Sequence, residues 1–235
     1  MSSGGLKVVV SAIAGNSFIT VIKFIGWFFS QSPSLLAESI HSLADTLNQI
    51  LLFVGLKKSK GGPTRDFPTG KGGARYLWNL ISAVGMFFIG FGVTAFHGFH
   101  ALLSGHYEVG PISWIGIGVL VISFIIEFIV LSQAYKEVKR LKQSRTFYEY
   151  FLESDDPTVI AVLLEDGVAV LGVSFALLGI GLGQVFQSAI FDIIASLFIA
   201  LLLGLMAVLL ALVNGKLLMG RSATTHKEDE ISSFI

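Results

Sequence analysis

Apolar residues gather along this chain in six blocks, at roughly 6–29, 33–56, 76–103, 111–135, 158–183 and 188–214. Each block supplies the ~20 helical residues that cross a hydrocarbon core of about 30 Å. The connections alternate in length: 30–32, 105–110 and 184–187 are short, while 57–75 and 136–157 are longer and charged. The pattern predicts an all-α integral membrane protein of six transmembrane helices. It forms one domain over 1–220, followed by a polar tail at 221–235 that carries Thr224, Thr225, Lys227, Glu228, Asp229 and Glu230.

Composition supports that assignment. Of 235 residues, 53% are hydrophobic and 14% charged, against about 25% charged in ordinary soluble domains. The first block is full-length rather than a short removable one, so no secretory cleavage signal is expected. The chain has no cysteine, which excludes disulfides and thiolate metal sites and leaves carboxylate and imidazole as the metal-binding groups.

Sixteen basic and sixteen acidic residues cancel, but their distribution is uneven. Lys57, Lys58, Lys60, Arg65, Lys71 and Arg75 surround the first long loop, and Lys136, Lys139, Arg140, Lys142 and Arg145 the second. Lys216, Arg221 and Lys227 follow the last block, and the three short loops hold no Lys or Arg. The positive-inside rule therefore puts both termini and both long loops in the cytoplasm. The first long loop is expected to be irregular, since Gly61, Gly62, Pro63, Gly70, Gly72 and Gly73 break structure, and its spacing forms no phosphate cradle. The segment 136–156, with Phe147, Tyr148, Tyr150 and Phe151, reads as a solvated or surface-lying helix.

Few ionisable groups fall inside the blocks. They are Lys23, Glu38, His41, Asp45, Glu127, Glu165, Asp166 and Asp192, with His97 and His100 near the outer end of the third. A buried Asp in a bilayer costs from ~2.5 kcal/mol upward, so such residues mark function by default. Glu38, His41 and Asp45 fall at i, i+3 and i+7, on one helical face. Asp45 in the second block and Asp166 in the fifth form a natural pair to share a proton or a cation. With His41 they make an N/O/O set suited to Zn²⁺. The alternative is that His41 and Asp45 bond only to each other and staple helices.

Position 162, one turn before Asp166, is Val, so the fifth block offers one obvious ligand. Glu165 diverges from Asp166 by about 100°, as a reserve ligand, pathway group or helix contact. Glu38 either lines the outer vestibule or pairs with Lys23. Lys23 itself is expected to snorkel toward the outer interface beside Trp27. Glu127 and Asp192 are expected to bond between helices or cap them, and Asn16 and Asn48 to hydrogen-bond between helices. His97, His100 and His106 are a weaker candidate for metal recruitment. Gly85, Gly90 and Gly92 are expected to permit close helix contact. No HExxH, GxSxG or GxxxxGK[ST] pattern occurs, so no enzyme is expected.

The run His41, Ser42, Leu43, Ala44, Asp45 inside six spans resembles the cation diffusion facilitator family of zinc and manganese transporters, over most of 8–220. Further support lies in Gly15 and Asn16 with Lys23 and Phe24, and in Leu164, Glu165 and Asp166 with Ala169 to Gly172. Asp192 to Ser196 and Lys216 to Gly220 add to it. The two acidic motifs together look like the branch containing zinc transporter 9. The resemblance implies a homodimer, formed through the membrane helices, that exchanges a divalent cation for protons by alternating access. Its four-residue site would fall on His41, Asp45 and Asp166, with Val162 at the fourth position in place of His or Asp. The family's C-terminal cytoplasmic domain is absent from these residues.

The sequence is thus expected to encode a secondary transporter exporting a divalent cation, foremost Zn²⁺, from the cytoplasm in exchange for protons carried by His41 and Asp45. No tightly bound cofactor and no nucleic-acid partner are expected, and the bilayer is a bacterial-type inner membrane or an organelle membrane. A non-transporting membrane subunit or metal sensor with a degenerate site is the alternative.

Overall fold

The computed structural model describes residues 3–60, 62–68, 70–105, 108–109, 112–142, 146 and 157–219, with side chains omitted at 3–12, 157–161, 216 and 217. The expected tail at 221–235 and most of the segment 143–156 lie outside the described residues.

Six long helical rods account for nearly everything described. They are α1 (Ser3–Ser30), α2 (Pro33–Lys58), a third rod from Ala74 to Leu103, α5 (Trp114–Leu141), α6 (Pro157–Phe186) and α7 (Ile190–Leu218). The third rod consists of α3 (Ala74–Gly85), a π-helical stretch Met86–Val93 and α4 (Thr94–Leu103). Glycine disfavours a helix interior by about 1 kcal/mol, and Gly85, Gly90 and Gly92 crowd this wider-wound turn. α5 continues through Lys136, Lys139 and Arg140, so the start of the second charged segment extends a membrane helix instead of opening a separate surface helix.

Five rods are long and apolar enough to cross a membrane. α2 falls short on apolarity because Ser34, Glu38, Ser39, His41, Ser42, Thr46 and Asn48 stand along it, all buried. Its 26 residues span about 39 Å at 1.5 Å each. It is shielded by neighbours: α2 packs on α1, the third rod, α6 and α7, and α5 bridges α1 to α6. The polarity is therefore inside and the apolarity outside. Phe18, Phe28, Phe88, Phe96, Ile122 and Val185 are among the large residues more than half exposed, as a lipid-facing surface requires. Two apolar clusters fill the interior. One joins Leu35, Leu120, Val173, Ile199 and Leu203, and the other joins Ala44, Ala83, Met86, Met206 and Leu210.

The tight turns share a device. Gln31 and Gln187 adopt left-handed φ values of 52° and 51°, and each amide donates to the carbonyl three residues back, Phe28 at 2.7 Å and Gln184 at 2.6 Å. Ser32 then caps α2, accepting from Leu35 N at 3.1 Å ahead of Pro33.

Close helix approach depends on glycines other than those expected. Gly85 has open space around it and Gly90 makes ordinary contact with Leu203. At Gly179 on α6, a Cβ would stand 2.6 Å from Ala195 Cβ and 3.1 Å from Asp192 Cα on α7. Gly179→Ala should therefore lower stability by about 1–3 kcal/mol through overpacking. Gly181→Ala, whose Cβ meets nothing within 4 Å, should instead raise stability by up to about 1 kcal/mol; thermal melts of the two variants in detergent make the comparison.

Candidate functional site

The intramembrane polar groups fall into three sets. At the start of α2, Ser34 donates through both its backbone N and Oγ to Asp192 Oδ1. Asp192, in the first turn of α7, thus ties the beginnings of two helices together. Further along α2, Ser82 Oγ donates to Asn48 Oδ1 at 2.6 Å, and Asn48 Nδ2 donates to Glu165 Oε1 at 3.1 Å. One amide thereby joins α2, α3 and α6. Asn79 Nδ2 donates to Asn214 Oδ1 at 3.1 Å between α3 and α7. Asn16 makes no interhelical bond through its amide among the described residues; its carbonyl accepts from Thr20.

The second set corrects the expectation for Lys23. It is fully buried, and its Nζ lies 2.8 Å from Glu38 Oε2 and 2.7 Å from Glu127 Oε1. The reason lies in the direction of the helix. Cα–Cβ bonds tilt toward a helix N-terminus, so Lys23 leans away from the 30–32 turn and into the bundle. Glu127 on α5, which starts near that same membrane face, leans back to meet it. Glu38 takes the pairing role rather than the vestibule role.

The third set is His41, Asp45 and Asp166. His41 is buried, and its Nε2 stands 3.4 Å from Asp45 Oδ2. That contact lacks hydrogen-bond alignment, so among the described residues both His41 nitrogens are without a hydrogen-bond partner, as are Asp45 Oδ1 and Asp166 Oδ2. Asp45 lies within electrostatic reach of Glu165 and Asp166 across the α2–α6 interface. Among the described residues, no three His, Asp or Glu side chains converge closely enough to enclose an ion. The structure therefore pairs His41 with Asp45 and sets Asp166 opposite, without closing a cage. Val162 is 41% exposed on α6. His97 and His100 are exposed on α4 against Phe96, and His106 lies outside the described residues.

Residues 9–219 match the model of the cation efflux transmembrane domain. The chain belongs to the cation efflux family. It is a multi-pass membrane protein of a transporter family, not an enzyme. It is 36% identical over 97% of its length to the mitochondrial proton-coupled zinc antiporter SLC30A9 of Mus musculus, and 35% identical to the Homo sapiens protein of that name. Metal tolerance protein C4 of Arabidopsis thaliana is 33% identical over 97% of the chain and 50% of its own length. The chain spans 40% of the length of the two SLC30A9 proteins.

Sequence reasoning missed the full Lys23 bridge and the Ser82–Asn48–Glu165 chain. The available signal was one buried cation among several buried acids, which in hydrocarbon must find each other. Removing one partner of a buried ion pair costs about 3–5 kcal/mol. Lys23→Met should therefore destabilise by that order, and Glu38→Gln placed in the Lys23→Met background should recover part of it. Unfolding midpoints of the single and double variants measure both.

Proposed function

We propose that this protein is a secondary transporter that exports a divalent cation, with Zn²⁺ the leading cargo, in exchange for protons. The observation that carries the reading is a set of buried ligand atoms without protein partners: both His41 nitrogens, Asp45 Oδ1 and Asp166 Oδ2. A buried polar atom left unbonded costs roughly 2–7 kcal/mol, and lipid supplies no partner. Imidazole with two carboxylates is a donor set suited to Zn²⁺.

The same atoms bind either protons or the cation, so loading releases protons and a proton gradient drives unloading. His41 and Asp45 carry that exchange. An open arrangement between α2 and α6 fits cargo better than a resident metal, because an ion held in a closed cage does not leave. Glu165, already bonded to Asn48, lies on the cytoplasmic approach and stands in for the ligand that Val162 lacks. The printed names of the SLC30A9 relatives support the same cargo and coupling.

The transport domain is residues 1–220, with both termini and the two long loops in the cytoplasm of a bacterial or organelle membrane. The working assembly is a homodimer through the membrane helices.

Uptake of Zn²⁺ into proteoliposomes tests the reading. Asp45→Asn and Asp166→Asn should each reduce the rate by roughly tenfold or more, equivalent to ~1.4 kcal/mol at the ion. Glu137→Gln, on the exposed cytoplasmic part of α5, should leave it unchanged. Wild-type rates in both Asp variants would remove the site assignment.

A further inference from the structure

Beside the proposed ion site stands a charged cluster that it does not use. Lys23 Nζ bridges Glu38 and Glu127 at 2.8 and 2.7 Å, with side chains 0%, 0% and 14% exposed. One ammonium faces two carboxylates, which leaves a formal excess of one negative charge inside the bundle. Each acid gives one oxygen to Lys23. The other oxygens, Glu38 Oε1 and Glu127 Oε2, are buried with no donor among the described residues. Glu38 Oε1 lodges against Gly172 of α6, where a Cβ would collide with it.

Uncompensated charge in a low-dielectric interior is removed by pairing or by protonation. Among the described residues, titratable groups reach the cluster from α1, α2, α5 and α6. Lys23 comes from α1, Glu127 from α5, and His41 and Asp45 from further along α2. Asp166 of α6 and Asp45 both lie within electrostatic reach of Glu127. From α7 the neighbour at Gly172 is apolar, Ile199. Lys23 is thus the sole permanent cation among them. Neither Glu38 nor Glu127 bonds to His41, Asp45 or Asp166.

We propose that Lys23, Glu38 and Glu127 form a proton-binding site separate from the metal ligands. It holds one proton on the free oxygen of Glu38 or Glu127. Hydronium gives its proton to a carboxylate and leaves as water; release reverses that step, and Lys23 remains an ammonium throughout. The protonated triad is neutral: one ammonium, one carboxylate, one carboxylic acid. If the transport reading holds, the site also couples. A dication arriving at Asp45 and Asp166 lowers the negative potential at Glu127 and favours loss of the proton, with no competition for the same atoms.

Infrared difference spectra of the whole, metal-free chain in lipid test the site without invoking transport. Acidification should raise a carboxylic-acid C=O band that is lost in both Glu38→Gln and Glu127→Gln, because each leaves Lys23 balanced by a single carboxylate. Lys23→Gln, with both acids and no cation, should hold the band to higher pH. A band unchanged in both Glu variants, or lost only in Asp45→Asn, overturns the proposal. Coupling is read separately, as protons released on adding Zn²⁺ to weakly buffered protein. Either Glu variant should still bind Zn²⁺ saturably but release one proton fewer, and unchanged release refutes the coupling step. Absence of saturable Zn²⁺ binding in the wild type sinks the transport reading, while the infrared result still decides the proton site.

Discussion

Hydrocarbon gives a charged group nothing to bond, and most of this structure follows from that constraint. Lys23 meets it by drawing Glu38 and Glu127 onto one ammonium, which fixes α1, α2 and α5 at one depth. Glycine at position 172 lets α6 approach the same point, since any side chain there would displace Glu38. Apolar packing among Leu35, Leu120, Val173 and Leu203 then fills the space around the ion bridge. Dispersion contacts alone would allow these helices many relative rotations. A buried ammonium between two carboxylates allows few.

The polar interior divides by whether its bonds are complete. Thr20 with Thr46, Ser34 with Asp192, Asn79 with Asn214, and Ser82 with Asn48 and Glu165 are all paired between helices. These pairs hold the bundle together. Among the described residues, most of the buried side chains with an unpartnered atom stand on α2, at Glu38, His41, Asp45 and Gln49, joined by Glu127 on α5, Asp166 on α6 and Thr94 on α4. Departures from local satisfaction are expected where function needs them. On α2, Glu38, His41 and Asp45 lie along one helical face, between the bonded Ser34 and Asn48.

The spans were legible because twenty apolar residues in a row have one economical conformation in a bilayer. α2 was legible for a further reason: its polar residues repeat at helical spacing, so their burial follows from a single rotation of the helix about its axis. The Lys23 bridge was not. A snorkelling lysine and a paired lysine have the same sequence signature, and the choice depends on which way the helix runs and what leans back to meet it. Close-contact glycines were misread for a similar reason. Gly85, Gly90 and Gly92 stand together in the sequence, yet tight approach occurs at Gly172 and Gly179, where the facing residue, not the glycine, decides the distance. The π-helical stretch is where the clustered glycines left their mark instead.

α2 carries both charged clusters, and that placement has a mechanical meaning. Glu38 and His41 are three residues apart, a rise of about 4.5 Å along a rigid rod. The bridge to Lys23 and the His41 and Asp45 side chains therefore cannot shift independently. A change at the proposed ion site that turns or tilts α2 pulls on Lys23, and a change in charge at Glu38 alters the potential at His41. Helix rigidity links the two clusters directly, through the backbone of α2. Electrostatics adds a second link through Glu127, which reaches Asp45 and Asp166 from α5. Two physical routes thus converge on Asp45, one carried by backbone geometry and the other by the weak screening of a dry interior.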